Sequence, residues 1–141
     1  MAEEIDPAVV IARDMRKLPD ETRKAVRPKL RAGGEIVAVD ARGRADWSSR
    51  IPGTVRVRTS FRDDRENVKV LAGGAGAPHA RPYEGIGTSG DTFRHPVYGD
   101  REVWVAQEKR PFIFPAAEAK GEEVTGLVRA ALDEAAASIG F

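Results

Sequence analysis

Gly85-Ile86-Gly87-Thr88-Ser89-Gly90 has the spacing of a dinucleotide-binding loop, in which glycines let backbone amides approach a pyrophosphate at the start of a helix. Such a loop must follow a strand and open a helix. The residues after it, Asp91-Thr92-Phe93-Arg94-His95-Pro96, have no helical period and are interrupted by proline, so the segment reads as a flexible loop. Ser89, Asp91 and His95 are close enough along the chain to suggest a nucleophile, an orienting acid and a base. Nothing around the serine supplies the strained elbow or rigid scaffold that this chemistry needs, and a histidine before proline in a turn reads as a hydrogen-bonded loop residue. The carboxylate pairs Asp63-Asp64 and Glu122-Glu123 are adjacent in sequence and fall in a turn and at a helix start, where solvation and the helix dipole account for them. No catalytic residue and no cofactor site is assigned.

The chain has no cysteine and only two histidines, His79 and His95, which excludes disulfides and thiolate sites and leaves too few soft ligands for a structural zinc. No metal site is expected. Basic and acidic residues number 23 and 22, so there is no bulk attraction to nucleic acid or to an anionic membrane, and an electrostatic partner must meet a local patch. One patch stands out. Arg23, Arg27 and Arg31 recur at i, i+4 and i+8, and with Lys24 and Lys29 they give residues 23–31 five positive charges and no negative one. Up to residue 65 the chain has 15 basic and 11 acidic residues, and beyond it 8 and 11, that is +4 and −3. This asymmetry suits head-to-tail contact between copies of one subunit, or a basic surface facing DNA; the competing reading is a solvated helix face. No apolar run approaches the roughly 18 residues of a membrane helix, and Met1-Ala2-Glu3-Glu4 is acidic where a signal peptide is basic, so a soluble protein made in the cytoplasm is expected.

With 141 residues, a single domain is expected, in four stretches. Asp6-Pro7 opens a short helix over 7–18, with Val10, Ile11, Met15 and Leu18 on one face and Pro19 ending it. Residues 20–50 form the longest regular stretch, with Val26, Leu30, Gly33 and Val37 on one stripe and Pro28 about 160° away, where a proline kinks rather than breaks a helix. Gly33-Gly34 is the hard interruption. A helix ending there, with a strand over 35–39, competes with a helix continuing to about Trp47, and the spacing of Ile36, Val39 and Gly43 and of Val37 and Ala41 favours the continuing helix. Residues 51–115 hold the sheet and its mobile glycine-rich loops. Residues 54–59 alternate apolar and polar, 62–65 are polar enough for a turn, and 68–71 resume strand composition, which reads as a β-hairpin. Residues 73–78 have no side chain able to hold a core and read as a hinge or mobile loop. Residues 102–106 are a third strand, 110–115 an apolar corner, and 116–141 the C-terminal helix, with Val124, Leu127, Val128, Ala131, Leu132 and Ala135 on one side. The fold class is α+β: helices before and after a small antiparallel sheet of three to four strands, with the C-terminal helix packed on that sheet.

Several pieces taken together carry a family resemblance: the charged N-terminal helical region, Trp47-Ser48-Ser49-Arg50-Ile51-Pro52 leading into the hairpin, Phe93-Arg94-His95-Pro96-Val97-Tyr98-Gly99, Trp104-Val105-Ala106-Gln107, and Arg110-Pro111-Phe112-Ile113-Phe114-Pro115-Ala116. From about residue 20 to 141, and most specifically over 93–117, the chain resembles the small neck or tail-completion proteins of long-tailed phages, the tail-component family typified by a lambdoid coliphage, in the version found in phages of actinobacteria. The resemblance implies a long helix before an antiparallel sheet, with a second helix packed on it, and a fold similar to tail-terminator subunits that form rings at the head–tail junction. It implies a structural virion protein with no catalytic residue, located at the head–tail junction. Its partners would be further copies of itself, a hexamer in the particle, with adjacent connector or head-closure and tail proteins and possible contact with channel DNA. The close variant is a tail terminator, and a different class is a small DNA-binding protein using the basic helix.

Six of the nine aromatic residues, Tyr83, Phe93, Tyr98, Trp104, Phe112 and Phe114, fall within 32 residues, more than one subunit of this size is expected to bury. A neighbouring subunit would cover the remainder. The interface candidates are therefore Arg23, Arg27 and Arg31 on the helix, and Arg94, His95, Tyr98, Trp104 and Phe112 in the C-terminal half.

Overall fold

A computed structural model describes residues 20–62, 65–85, 90–97 and 100–138. The expected helix over 7–18 and the tip of the 62–65 turn lie outside the described residues. Helix α1 runs Asp20–Arg44, with Asp20 and Glu21 in its first turn and Arg42 and Arg44 in its last, the arrangement the helix dipole favours. The continuing helix is thus the correct alternative, and it passes both Pro28 and the double glycine, but it ends at Arg44, short of Trp47, with residues 45–47 in a turn. Pro28 is exposed on the outer face, where the carbonyl it leaves unpaired reaches water.

The double glycine is a crossing point. A Cβ on Gly33 would lie 2.9 Å from Val124 Cγ1, and a Cβ on Gly34 would lie 2.7 Å from Val68 Cγ1 and 3.0 Å from Val57 Cγ1. At this turn α1 is wedged between the C-terminal helix on one side and the first hairpin on the other. Two glycines weaken a helix by about 1 kcal/mol each relative to alanine, and here they let three elements approach more closely than a methyl group allows.

After a short helix, α2 (Ile51–Thr54), strands β1 (Arg56–Arg62) and β2 (Arg65–Leu71) form the expected hairpin in antiparallel register, with Val57 opposite Val70 and Thr59 opposite Val68. Its apolar face meets α1, and Arg56, Arg58 and Lys69 are exposed on the other. Helix α3 (Ala80–Glu84) ends at Gly85, whose φ of 90° suits a glycine C-cap. A second hairpin follows, β3 (Thr92–Val97) with β4 (Asp100–Glu108), and then helix α4 (Ile113–Ser138).

The α+β class holds, with three corrections to its detail. The strands form two separate two-stranded sheets rather than one sheet of three or four, because each strand pairs only with its immediate neighbour in sequence. Strand β3 occupies a stretch that reads as a loop. Pro96 is admitted because a two-stranded sheet has no interior strand, and the register shifts at Pro96/Val97. Helix α4 packs along α1, with Val26 against Ala131 and Ala135, so α1 stands where the sheet was expected.

The main core gathers Ala38, Ala41, Ala45, Ile51, Val55, Ala77, Ala80, Phe112 and Ala116. The largest fully buried side chains are Phe112, Ile51 and Val26, each worth about 1.5–3 kcal/mol of burial. The 73–78 segment, expected to be a hinge, is tied into this core. Ala77 is fully buried, the Gly73 amide donates to Thr54 Oγ1 at 2.9 Å, and the Arg56 guanidinium donates to the Gly73 carbonyl at 3.1 Å.

Candidate interaction surface

The second hairpin is clamped at its base. The Glu84 carboxylate, at the end of α3, accepts the amides of Phe112 (2.7 Å), Ile113 (3.0 Å) and Phe114 (2.7 Å), the unpaired donors where α4 begins. The Arg110 amide donates to the Tyr83 carbonyl at 2.9 Å and the Lys109 amide to the Asp91 carbonyl at 2.8 Å. The Tyr83 ring stands between Trp47 (4.7 Å between centroids) and Phe93 (5.0 Å, edge-on), and the Arg110 guanidinium lies 5.1 Å over Trp47. These contacts hold the first residues of β3 and the last of β4 against the body, and they bury Phe93.

Beyond that clamp the hairpin is exposed. Cross-strand partners share a face, so the register puts Phe93, His95, Val105 and Gln107 on one side and Arg94, Pro96, Trp104 and Ala106 on the other. Val103 (48% exposed) and Val105 (39%) look one way and Trp104 (50%) the other, so both sides of the outer half present apolar surface to solvent. On the body, Val39 and Phe114 are also exposed, and Val39 lines a shallow groove with Ala32, Glu35, Ile36, Asp40 and Lys120. Three consecutive half-exposed large apolar side chains on one strand are the densest such run among the described residues and make the hairpin the candidate contact surface.

The eight interface candidates are distributed unevenly over this surface. Trp104 and Arg94 belong to the exposed hairpin, and His95 is half-buried, its Nδ1 3.0 Å from the Pro96 carbonyl and its ring 6.0 Å from Phe93. Tyr98 lies outside the described residues. Phe112 is a correction: it is fully buried in the main core, where a ring beside three capped amides packs the helix start and reaches no partner. Arg23 is a second correction, being 6% exposed with its guanidinium 3.4 Å from Asp20 Oδ1. Arg27 is half-buried, so of the three-arginine stripe Arg31 alone is fully on the surface. Val103 and Val105 went unassigned at the sequence level, although an unbroken Val-Trp-Val run in a strand covered on at most one side must expose part of itself. Glu84 gave no local signal, since the amides it binds are 28–30 residues away.

The glycine loop at 85–90 follows a five-residue helix and precedes a strand, the reverse of what a dinucleotide loop requires. Among the described residues no group of three or more His, Asp or Glu side chains could hold a metal ion, and no helix is long and apolar enough to cross a membrane. Compared with known proteins, the chain matches no family model, no curated protein and no solved structure.

Proposed function

We propose that this chain is a structural, non-enzymatic subunit of the head–tail junction of a long-tailed phage, a neck or tail-completion protein that assembles as a ring between connector and tail tube. The observation that carries the reading is the second hairpin, a rigidly based arm whose outer half exposes Val103, Trp104 and Val105 on opposite sides. About half of each of these side chains faces solvent in the lone subunit, and a subunit seated among copies of itself would cover that remainder. The resemblance over 93–117 covers this same hairpin and the start of α4, which ties the sequence argument to the surface argument. The tail-terminator role is the close variant, since it uses the same ring geometry.

An electron-microscopy map of intact particles tests the proposal. The expected result is a closed ring of copies, six in the particle, at the junction between head and tail. One isolated copy per particle, or none at the neck, overturns it.

A further inference from the structure

The outer face of the first hairpin is a surface of a different kind. Along β1 and β2 the row pointing away from α1 contains Arg56, Arg58 and Ser60 on one strand, with Leu71, Lys69 and Asn67 opposite. Arg56, Arg58 and Lys69 are exposed, no acidic residue stands at any of these six positions, and Arg58 and Lys69 are direct cross-strand partners. Like charges directly opposite in a ladder destabilise it. The backbone register continues to Arg62 opposite Arg65, whose side chains lie outside the described residues, so the argument rests on Arg56, Arg58 and Lys69. Arg56 is also held in place by the Thr54 (2.9 Å) and Gly73 (3.1 Å) carbonyls, which fixes a cation at the base of the row.

We infer that this face binds the phosphate backbone of double-stranded DNA. The row is dominated by positive charge and polar side chains, with half-buried Leu71 as its one apolar member, and a polyanion converts its internal repulsion into attraction. The contact is sequence-independent, because charge matched to phosphate carries no base information. This inference stands apart from the ring: it places nucleic acid on the first hairpin and takes it off the helix stripe, where Arg23 is buried.

The test is binding of the purified full chain to a random-sequence duplex of about 25 base pairs, followed by fluorescence anisotropy between 50 and 200 mM salt. Three phosphate contacts predict a fall of about 40-fold in affinity across that range. Arg58→Gln with Lys69→Gln should leave a fall of about 3-fold, while melting at the same or a slightly higher temperature because a repulsive pair is gone. The control, Lys24→Gln with Lys29→Gln and Arg31→Gln, should keep the full salt dependence. Loss of binding in the control but not in the hairpin variant overturns the inference in favour of the helix. Wild-type protein that ignores DNA at 50 mM salt but binds polyglutamate overturns it in favour of an acidic protein partner. Neither result touches the ring reading, which is decided by the particle map.

Discussion

Glu84 is the residue on which the geometry of the arm turns. Its carboxylate holds three amides at the start of α4, and the same short helix anchors β4 through the Tyr83 carbonyl. Glu84→Ala strands those donors in a half-buried setting and should cost about 2 kcal/mol, with a melting temperature about 6 °C lower. Glu84→Gln, keeping one acceptor oxygen but no charge, should fall between the two, and thermal unfolding of the three proteins checks the order. The helix stripe gives a contrasting case. Replacing Arg31 by Glu alters an exposed charge and should change stability by less than about 0.5 kcal/mol. Arg23→Glu places a second carboxylate beside Asp20 in a buried position and should destabilise markedly, so a combined change at 23, 27 and 31 confounds folding with binding. Periodicity placed these arginines one turn apart correctly. It says nothing about which turn is covered, since that depends on what packs there.

At the scale of elements, α1 shows both how far local pattern reaches and where it stops. The stripe of Val26, Leu30, Gly33 and Val37 is the stripe that packs, because a 3.6-residue period is set by backbone geometry alone. The alternation over 54–59 became a strand from Arg56 onward, Thr54 ending α2, with its apolar side inward. Pairing between hairpins is encoded in no local period, which is why one sheet was expected where two occur. β3 was missed because Pro96 is forbidden only inside a sheet, and the sequence does not display which strands are edges. The glycines of α1 separate these effects experimentally. Gly43 has nothing within 4 Å of the place a methyl group would take, so Gly43→Ala should stabilise by about 1 kcal/mol through helix propensity. Gly34→Ala forces a methyl against Val57 and Val68 and should destabilise by about 1–3 kcal/mol despite the same gain. Denaturant unfolding measures both, and recovery of Gly34→Ala by Val68→Ala would tie the cost to that contact.

For the molecule as a whole, the distribution of apolar area argues for assembly. Six of the nine buried residues of the main core are alanines, which remove little area from water each, while Val39, Val103, Trp104, Val105 and Phe114 remain on the surface. Large side chains are thus spent outside the core. In the proposed ring, a head-to-tail joint would use two different patches of each subunit, the arm being the one that is offered. Val103→Thr with Trp104→Ser and Val105→Thr removes what the arm offers while keeping strand propensity at the outer positions and leaving the receiving patch intact. The isolated variant should stay folded though less stable by up to about 3 kcal/mol, since these side chains are about half exposed, yet alone build no particles, because loss of a central aromatic anchor commonly costs about 2 kcal/mol or more at an interface. Co-expressed with wild type in equal amounts, it should lower particle yield by far more than two-fold, because a defective arm at any position leaves the ring open. A yield that merely halves would mean that the variant is excluded without blocking closure, and a yield that stays normal would mean that the arm is not the joint.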